Sequence, residues 1–264
     1  MAYNKVVVIG TGVIGEALIG VLLKSGFQKD SIFALEKRTE RLTEILLKYG
    51  IQELRSMAEV DVLFVAVKPQ DFSSTLSQWS QSEISGKLVV SFAAGIKTHK
   101  INEILGNGAR VIRVMPNTPM TVGRGMSAMS LGQSASREDQ EWLRKVLGEV
   151  GEAISVPEEL QDAVTATSGS GPAYFFAFTE AIEAAAKRLG LSDADSKVLA
   201  RETLIGAALM VEKSGKELKT LRENVTSPNG TTAAALQKFE SSGLEELVFQ
   251  AMKAARDRSI ELSS

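Results

Sequence analysis

The stretch Val6-Val7-Val8-Ile9-Gly10-Thr11-Gly12-Val13-Ile14-Gly15 decides the fold. Its four β-branched residues in a row suit a strand buried on both faces, as in a parallel sheet. The glycines recur as G-x-G-x-x-G, and an apolar helical segment follows them. Gly10 permits a tight turn, and Gly12 lets the backbone approach a pyrophosphate. Gly15 lets helix and strand pack closely, and the helix N-terminus receives the anion. Strand, glycines and helix in that order are the context this motif requires. Gly10, Thr11, Gly12, Val13, Ile14 and Gly15 are therefore candidate contacts of a dinucleotide.

The pattern continues outward from this stretch. Further strands are expected at Ser31–Glu36, Asp61–Val67, Lys87–Phe92 and Arg110–Met115, with weaker ones at Met126–Leu131 and Glu152–Val156. Helical segments lie between them at Glu16–Ser25, Arg38–Tyr49, Phe72–Trp79 and Lys97–Leu105. This alternation predicts an α/β fold: a Rossmann-type, doubly wound, mainly parallel sheet over residues 1–157. After Pro157 the texture changes. Residues 158–264 hold 18 Ala against 11 in the longer first part, and the β-branched runs stop. Helices are expected at 158–167, 172–189, 192–214, 217–224, 231–241 and 243–262, making an all-α second domain.

Composition removes whole classes of chemistry. The chain of 264 residues has no Cys and a single His, His99. Disulfides, thiolate zinc sites, cysteine nucleophiles and multi-histidine metal sites are excluded, and no metal site is expected. A net charge of −2 offers no field for nucleic acid or an anionic membrane. The opening Met1–Lys5 runs directly into the first strand without a signal-peptide pattern. No stretch approaches ~20 uninterrupted apolar residues. A cytoplasmic protein is the expectation.

The second strand decides the kind of dinucleotide. Glu36 lies 21 residues after Gly15, where an acidic side chain binds the ribose 2′-hydroxyl of NAD. Lys37 and Arg38 follow at once and suit the 2′-phosphate of NADP. The two signals conflict. NADP is the favoured cofactor and NAD the alternative; a solvated helix start would equally account for the two cations. At later strand ends, Val67-Lys68-Pro69, Ala93-Ala94-Gly95 and Met115-Pro116-Asn117-Thr118-Pro119 would shape a shelf for nicotinamide and ribose.

Two motifs remain in the helical part, Ser168-Gly169-Ser170-Gly171-Pro172-Ala173-Tyr174 and Thr226-Ser227-Pro228-Asn229-Gly230-Thr231-Thr232. In the second, a turn leads into a helix start whose free N–H groups could hold a carboxylate, helped by the Ser227 and Thr232 hydroxyls. A merely capped helix explains the same residues.

These segments, with Arg113–Pro119, occur in an order and spacing that resembles the pyrroline-5-carboxylate reductase family along the whole chain. The one visible departure is Asn229, where the family usually has Gly; Asn tolerates a left-handed backbone, so the turn should survive. The resemblance implies hydride transfer from NAD(P)H to the C=N of 1-pyrroline-5-carboxylate, giving L-proline, the last step of proline biosynthesis. It implies that Ser227 and the backbone of Gly230, Thr231 and Thr232 hold the substrate carboxylate. The Thr232 hydroxyl would bond the ring nitrogen, as the catalytic contact. It places Glu158 near the substrate and Asn224 at the cofactor. It also implies a homodimer or higher oligomer formed through the helical domain, with the site completed across that interface.

Such chemistry needs no histidine, because a protonated imine is already electrophilic. His99, in Lys97-Thr98-His99-Lys100, reads as a surface residue. Two alternatives stand beside this reading. A β-hydroxyacid dehydrogenase-like enzyme would need a lysine soon after Gly171, and the first is Lys187. A non-catalytic NADP-binding regulator derived from the family would keep the cofactor domain without turnover.

Overall fold

The protein is described by a computed structural model covering residues 3–106 and 108–262. The outermost residues of the two expected domains, 1–2 and 263–264, lie outside the described residues. Contacts divide the chain into two compact units, Met1–Ser170 with Ala255–Ser264, and Gly171–Ala254. The change of texture in the sequence falls earlier, after Pro157.

The first unit is built on eight strands: β1 (Val6–Ile9), β2 (Ile32–Leu35), β3 (Gln52–Glu53), β4 (Val62–Val65), β5 (Leu88–Ser91), β6 (Arg110–Met115), β7 (Gly125–Leu131) and β8 (Gly151–Ser155). They form one sheet in the order β3-β2-β1-β4-β5-β6-β7-β8. Every neighbouring pair is parallel except β6 and β7. The first six strands have the doubly wound order, with the switch point between β1 and β4, and ligands bind at such crevices. In register, Val6 faces both Ile32 and Val62, so β1 is central and buried on both faces. Val6 and Val8 join one core layer, and Val7 and Ile9 the other. That is why β1 is a continuous apolar run rather than an alternating one.

Helices cover both faces: α1 (Val13–Lys24), α2 (Thr39–Tyr49), α3 (Pro69–Leu76), α4 (Gln81–Ile84), α5 (Thr98–Leu105) and α6 (Arg137–Gly148). Phe64 is fully buried and stacks on Phe92, with ring centroids 6.0 Å apart; Trp142 of α6 lies 6.2 Å from it. Truncating Phe64 to Ala would cost about 3–5 kcal/mol. Helix α6 is absent from the sequence reading, although its signals are present. Ser136 and Asp139 form a capping box, and Leu143, Val146 and Leu147 bury one face. The buried Asp139 carboxylate also accepts bonds from Arg110 at 2.6 Å and from the Tyr3 hydroxyl. Burial and Asp139 push the Tyr3 phenol up to about 12. Helix α3 begins at Pro69, earlier than the expected Phe72, because proline at the first helical position costs no hydrogen bond.

The expected helix at 158–167 is corrected. A single turn at Glu158–Leu160 leads to α7 (Gln161–Val164) and then to a π-helical segment at Thr165–Gly169. The widened turn is closed by the Ser170 N–H on the Thr165 carbonyl at 2.8 Å. Asn117 captures the Ser168 carbonyl at 3.1 Å, which favours the distorted backbone.

The second unit holds α8 (Gly171–Arg188), α9 (Asp193–Ser214), α10 (Leu218–Asn224), α11 (Thr231–Ser241) and most of α12 (Leu244–Leu262). Phe178 of α8 meets Phe239 of α11 with centroids 6.1 Å apart. Much of its apolar surface is uncovered: Phe175 and Phe176 are 62% and 61% exposed, and Leu199, Ile205, Leu209 and Met210 are also open. Helix α8 buries only Gly171. A single chain therefore leaves apolar helix faces without a partner.

Candidate active site

The glycine motif joins β1 to α1 in a turn whose geometry explains each glycine. Gly10 has φ +85°, and a Cβ there would meet the Ala66 carbonyl oxygen and Val67 Cγ1 at 2.9 Å. A Cβ on Gly15 would overlap the Gly10 carbonyl. Gly12 caps α1 without a side-chain hydrogen bond, and the space where its Cβ would lie is open. The first N–H groups of α1 have no intrahelical acceptor, so they and the helix dipole favour an anion. Beside them opens a cleft of about 760 Å³, within the roughly 300–1,000 Å³ of small-molecule sites. These features fit a dinucleotide pyrophosphate.

Thr11 is fully buried in this turn. Its N–H and hydroxyl both donate to Glu36, at 3.0 and 3.1 Å, and its carbonyl accepts from Arg41 Nε at 3.0 Å. Arg41 is in turn ion-paired with Glu16 of α1, which also accepts from Lys48 at 2.7 Å. The Lys48 contact, against the cost of burial and with Arg41 and Tyr49 assisting, holds the Glu16 carboxyl at about 2. The sequence reading missed Arg41. Its signal was its place in the first turn of α2, three residues after Arg38.

Glu36 follows β2 directly and lines the cleft. Burial raises its carboxyl, but bonds from Arg38 and from the Thr11 and Arg38 N–H groups prevail and hold it at about 2. Arg38 sits at the N-cap of α2 and pairs with Glu36 at 3.1 Å. Lys37 reaches across the cleft to Asp71 of α3, at 3.0 Å. Val67 and Lys68 line the same cleft, together with Gln70 and Gln78, which sequence reasoning did not single out. Pro69 starts α3. Ala93 is buried, Ala94 is exposed at the tip of the next loop, and Gly95 turns it with φ +78°.

That loop enters α5, and Glu158 holds the entry. Its carboxylate accepts from the Thr98 N–H and the Thr98 hydroxyl, both at 2.7 Å. Arg113 Nη1, on a side chain only 3% exposed, lies 3.6 Å away. The structure thus brings Glu158 to the end of the loop at 93–97. His99, one residue on, is exposed. The motifs at 113–119 and 168–170 also meet: Asn117 donates to the Ser168 carbonyl and accepts from the Met126 N–H at 2.8 Å. A Cβ on Gly169 would strike Met115.

In the second unit, Asn224 ends α10 and the loop at 226–232 leads into α11. Asn229 has φ +59°, and among the described residues it is the one non-glycine with positive φ. The left-handed turn survives the Gly-to-Asn exchange, as expected. Gly230 caps α11 with no side-chain bond, and its N–H donates to the Ser227 carbonyl at 3.0 Å. A Cβ on Gly230 would overlap the Ser227 hydroxyl. Ser227 and Thr231 are exposed and Thr232 half-buried, around a helix start with no side-chain cap. Among the described residues, no cluster of three or more His, Asp or Glu side chains could hold a metal ion. No described helix is long and apolar enough to cross a membrane.

Known proteins align with both halves. A family profile described as pyrroline-5-carboxylate reductase dimerisation matches residues 158–262, and one described as NADP oxidoreductase, coenzyme F420-dependent, matches residues 5–95. A pyrroline-5-carboxylate reductase of Corynebacterium melassecola is 40% identical over 98% of each chain. One from Pseudomonas aeruginosa is 38% identical over 100% of this chain and 98% of that one. The solved structure of a pyrroline-5-carboxylate reductase from Coxiella burnetii superposes with a TM-score of 0.92 at 31% identity, covering 99% of both chains. That of a Plasmodium falciparum pyrroline carboxylate reductase with NADP bound does so with a TM-score of 0.82 at 29% identity, over 99% of this chain and 98% of that one. The chain belongs to the pyrroline-5-carboxylate reductase family.

Proposed function

We propose that this protein reduces 1-pyrroline-5-carboxylate to L-proline with NADPH, the closing step of proline biosynthesis. The observation that carries the reading is the loop at 226–232. Its left-handed turn at Asn229 and uncapped start of α11 are kept in a chain whose first unit also keeps an open anion cradle at Gly12.

The chain's own residues have three tasks. The N–H groups that open α1, with Lys37 and Arg38, bind the phosphates. The loop at 93–97, tied by Glu158, and the stretch Val67-Lys68-Pro69 shape the shelf for the ring that carries the hydride. When bound, the nicotinamide supplies a hydride to the imine carbon. The Ser227 hydroxyl and the N–H groups of Thr231 and Thr232 hold the substrate carboxylate, while the Gly230 N–H, expected to share in this, instead closes the turn on the Ser227 carbonyl. The Thr232 hydroxyl orients the ring nitrogen, which carries the proton. The cation of the imine is thereby balanced by its own anchored carboxylate, and positioning replaces acid–base catalysis.

The reading includes a homodimer or larger assembly through residues 158–264, supported by the uncovered apolar faces of α8 and α9 and by the dimerisation profile. It also places the protein in the cytoplasm, where NADPH-consuming biosynthesis runs. The test is oxidation of NADPH that depends on 1-pyrroline-5-carboxylate, followed with proline as the identified product. Nucleotide binding without turnover would favour the regulator instead. Light scattering coupled to size exclusion reads the assembly; a monomer at micromolar concentration would contradict it.

A further inference from the structure

Glu36 stands where an acidic side chain accepts the ribose hydroxyls of NAD. Its acceptor capacity is already spent. Oε2 accepts from the Thr11 N–H at 3.0 Å, the Thr11 hydroxyl at 3.1 Å and Arg38 Nη2 at 3.2 Å. Oε1 accepts from the Arg38 N–H and Arg38 Nε, both at 3.1 Å. Five donors therefore face a carboxylate with about four lone-pair sites. The side chain is 6% exposed, so it cannot turn to solvent for relief.

The five donors are not equivalent. Three belong to Thr11 and to the Arg38 backbone, and the fold fixes them. The other two come from the Arg38 guanidinium, on a side chain 60% exposed at the mouth of the cleft. We propose that Arg38 is a mask: it closes a ribose-hydroxyl receptor at Glu36 and, from the same position, offers its remaining N–H groups to a 2′-phosphate. The proposal rests on the reductase reading only in taking a nicotinamide dinucleotide as the cleft's ligand. It makes Glu36 a latent NAD determinant and Arg38 the residue that sets cofactor choice.

The consequence differs from that of a simple phosphate contact. Losing such a contact weakens NADPH binding and leaves NADH binding alone. Lifting a mask also tightens NADH, because three donors on four sites leave an acceptor free. Arg38→Ala suits the test, since the native side chain makes no capping bond to α2.

The experiment is calorimetric titration of NADPH and NADH into the full-length protein without substrate. Three forms are compared: wild type, Arg38→Ala and the double variant Glu36→Gln/Arg38→Ala. In Arg38→Ala the Kd for NADPH rises more than tenfold, and the Kd for NADH falls by on the order of tenfold, as one regained charge-assisted bond provides. The double variant loses the NADH gain. NADH binding that is unchanged or weaker in Arg38→Ala overturns the proposal, and so does an NADH gain that persists without Glu36. Should Arg38→Ala fold poorly by circular dichroism, Arg38→Met keeps the aliphatic stem, brings no donor to Glu36 and should still tighten NADH. Turnover separates the two ideas: nucleotide binding without substrate-dependent oxidation in the wild type defeats the reductase reading, whatever the Arg38 variants do.

Discussion

Removing the carboxylate of Glu158 separates two roles for that residue. The family resemblance puts it near the substrate, and the structure puts its oxygens on Thr98 and beside Arg113. Glu158→Ala deletes two charge-assisted bonds at 2.7 Å and leaves the buried Arg113 without this carboxylate. Removing one partner of a buried pair costs about 3–5 kcal/mol. The Glu158 side chain is 23% exposed, so water can replace part of what is lost, and the cost falls near the lower end, about 3 kcal/mol. Glu158→Gln keeps the shape and one acceptor oxygen and should cost roughly 1–2 kcal/mol. Equilibrium urea unfolding at fixed protomer concentration reads both values. If the loop at 93–97 forms the nicotinamide shelf as proposed, kcat should fall in both variants with the KM for 1-pyrroline-5-carboxylate changed little. A Glu158→Ala protein within about 0.5 kcal/mol of wild type, typical of a surface change, would refute the anchoring argument. A rise in that KM with stability kept would restore the substrate contact.

Acid should loosen the glycine turn through Glu16. Folding lowers its carboxyl from 4.5 to about 2. Its contribution is therefore complete above pH 4.5 and is lost as pH falls towards 2, amounting to as much as ~3 kcal/mol. Glu16→Gln should flatten the dependence of unfolding free energy on pH across that window, and an unchanged slope would remove Glu16 from the account. At the loop 226–232, Asn229→Gly should leave stability and KM nearly unaltered, whereas Asn229→Val, forced to φ +59°, should cost about 1–2 kcal/mol and raise the KM; equal behaviour of the two would deny the turn its role. His99→Ala should retain wild-type kcat/KM, since the side chain is exposed and the chemistry does not call on it; loss of activity in a folded His99→Ala protein would break the histidine-free mechanism.

The elements most legible in the sequence were those whose pattern is dictated locally. The β1 run and its glycines announce a buried parallel strand and a tight turn, because no other residue types meet those steric demands. Some strands came out shorter than expected at their carboxyl ends while β1, β6 and β7 end where expected: Asp61–Val67 contracts to Val62–Val65, and Ala66 and Val67 wall the cleft. Strand β3 was invisible because its two exposed residues carry no apolar signal. Helix α6 was overlooked for a different reason. Its few apolar residues are scattered among charged ones such as Glu138, Glu141, Arg144 and Lys145, and only Ser136 and Asp139 mark its start. At the site, the phosphate turn and the loop at 226–232 were readable because backbone conformation is written in Gly, Pro and Asn. The partners of Glu36 and Glu158 were not, since a carboxylate's meaning depends on donors brought in from 25 and 60 residues away.

The central claim is that a substrate carboxylate held at the start of α11 and an imine nitrogen bonded by Thr232 complete a positioning site for hydride transfer. The most direct measurement is the rate of NADPH oxidation with 1-pyrroline-5-carboxylate, in wild type and in Thr232→Ala, with proline quantified. The wild type should convert the two in equal amounts. The variant should fold, bind NADPH as before and lose on the order of tenfold to a hundredfold in kcat/KM, the scale of one preorganised hydrogen bond. A wild type that consumes no NADPH with this substrate, or a Thr232→Ala protein as fast as wild type, would contradict the account.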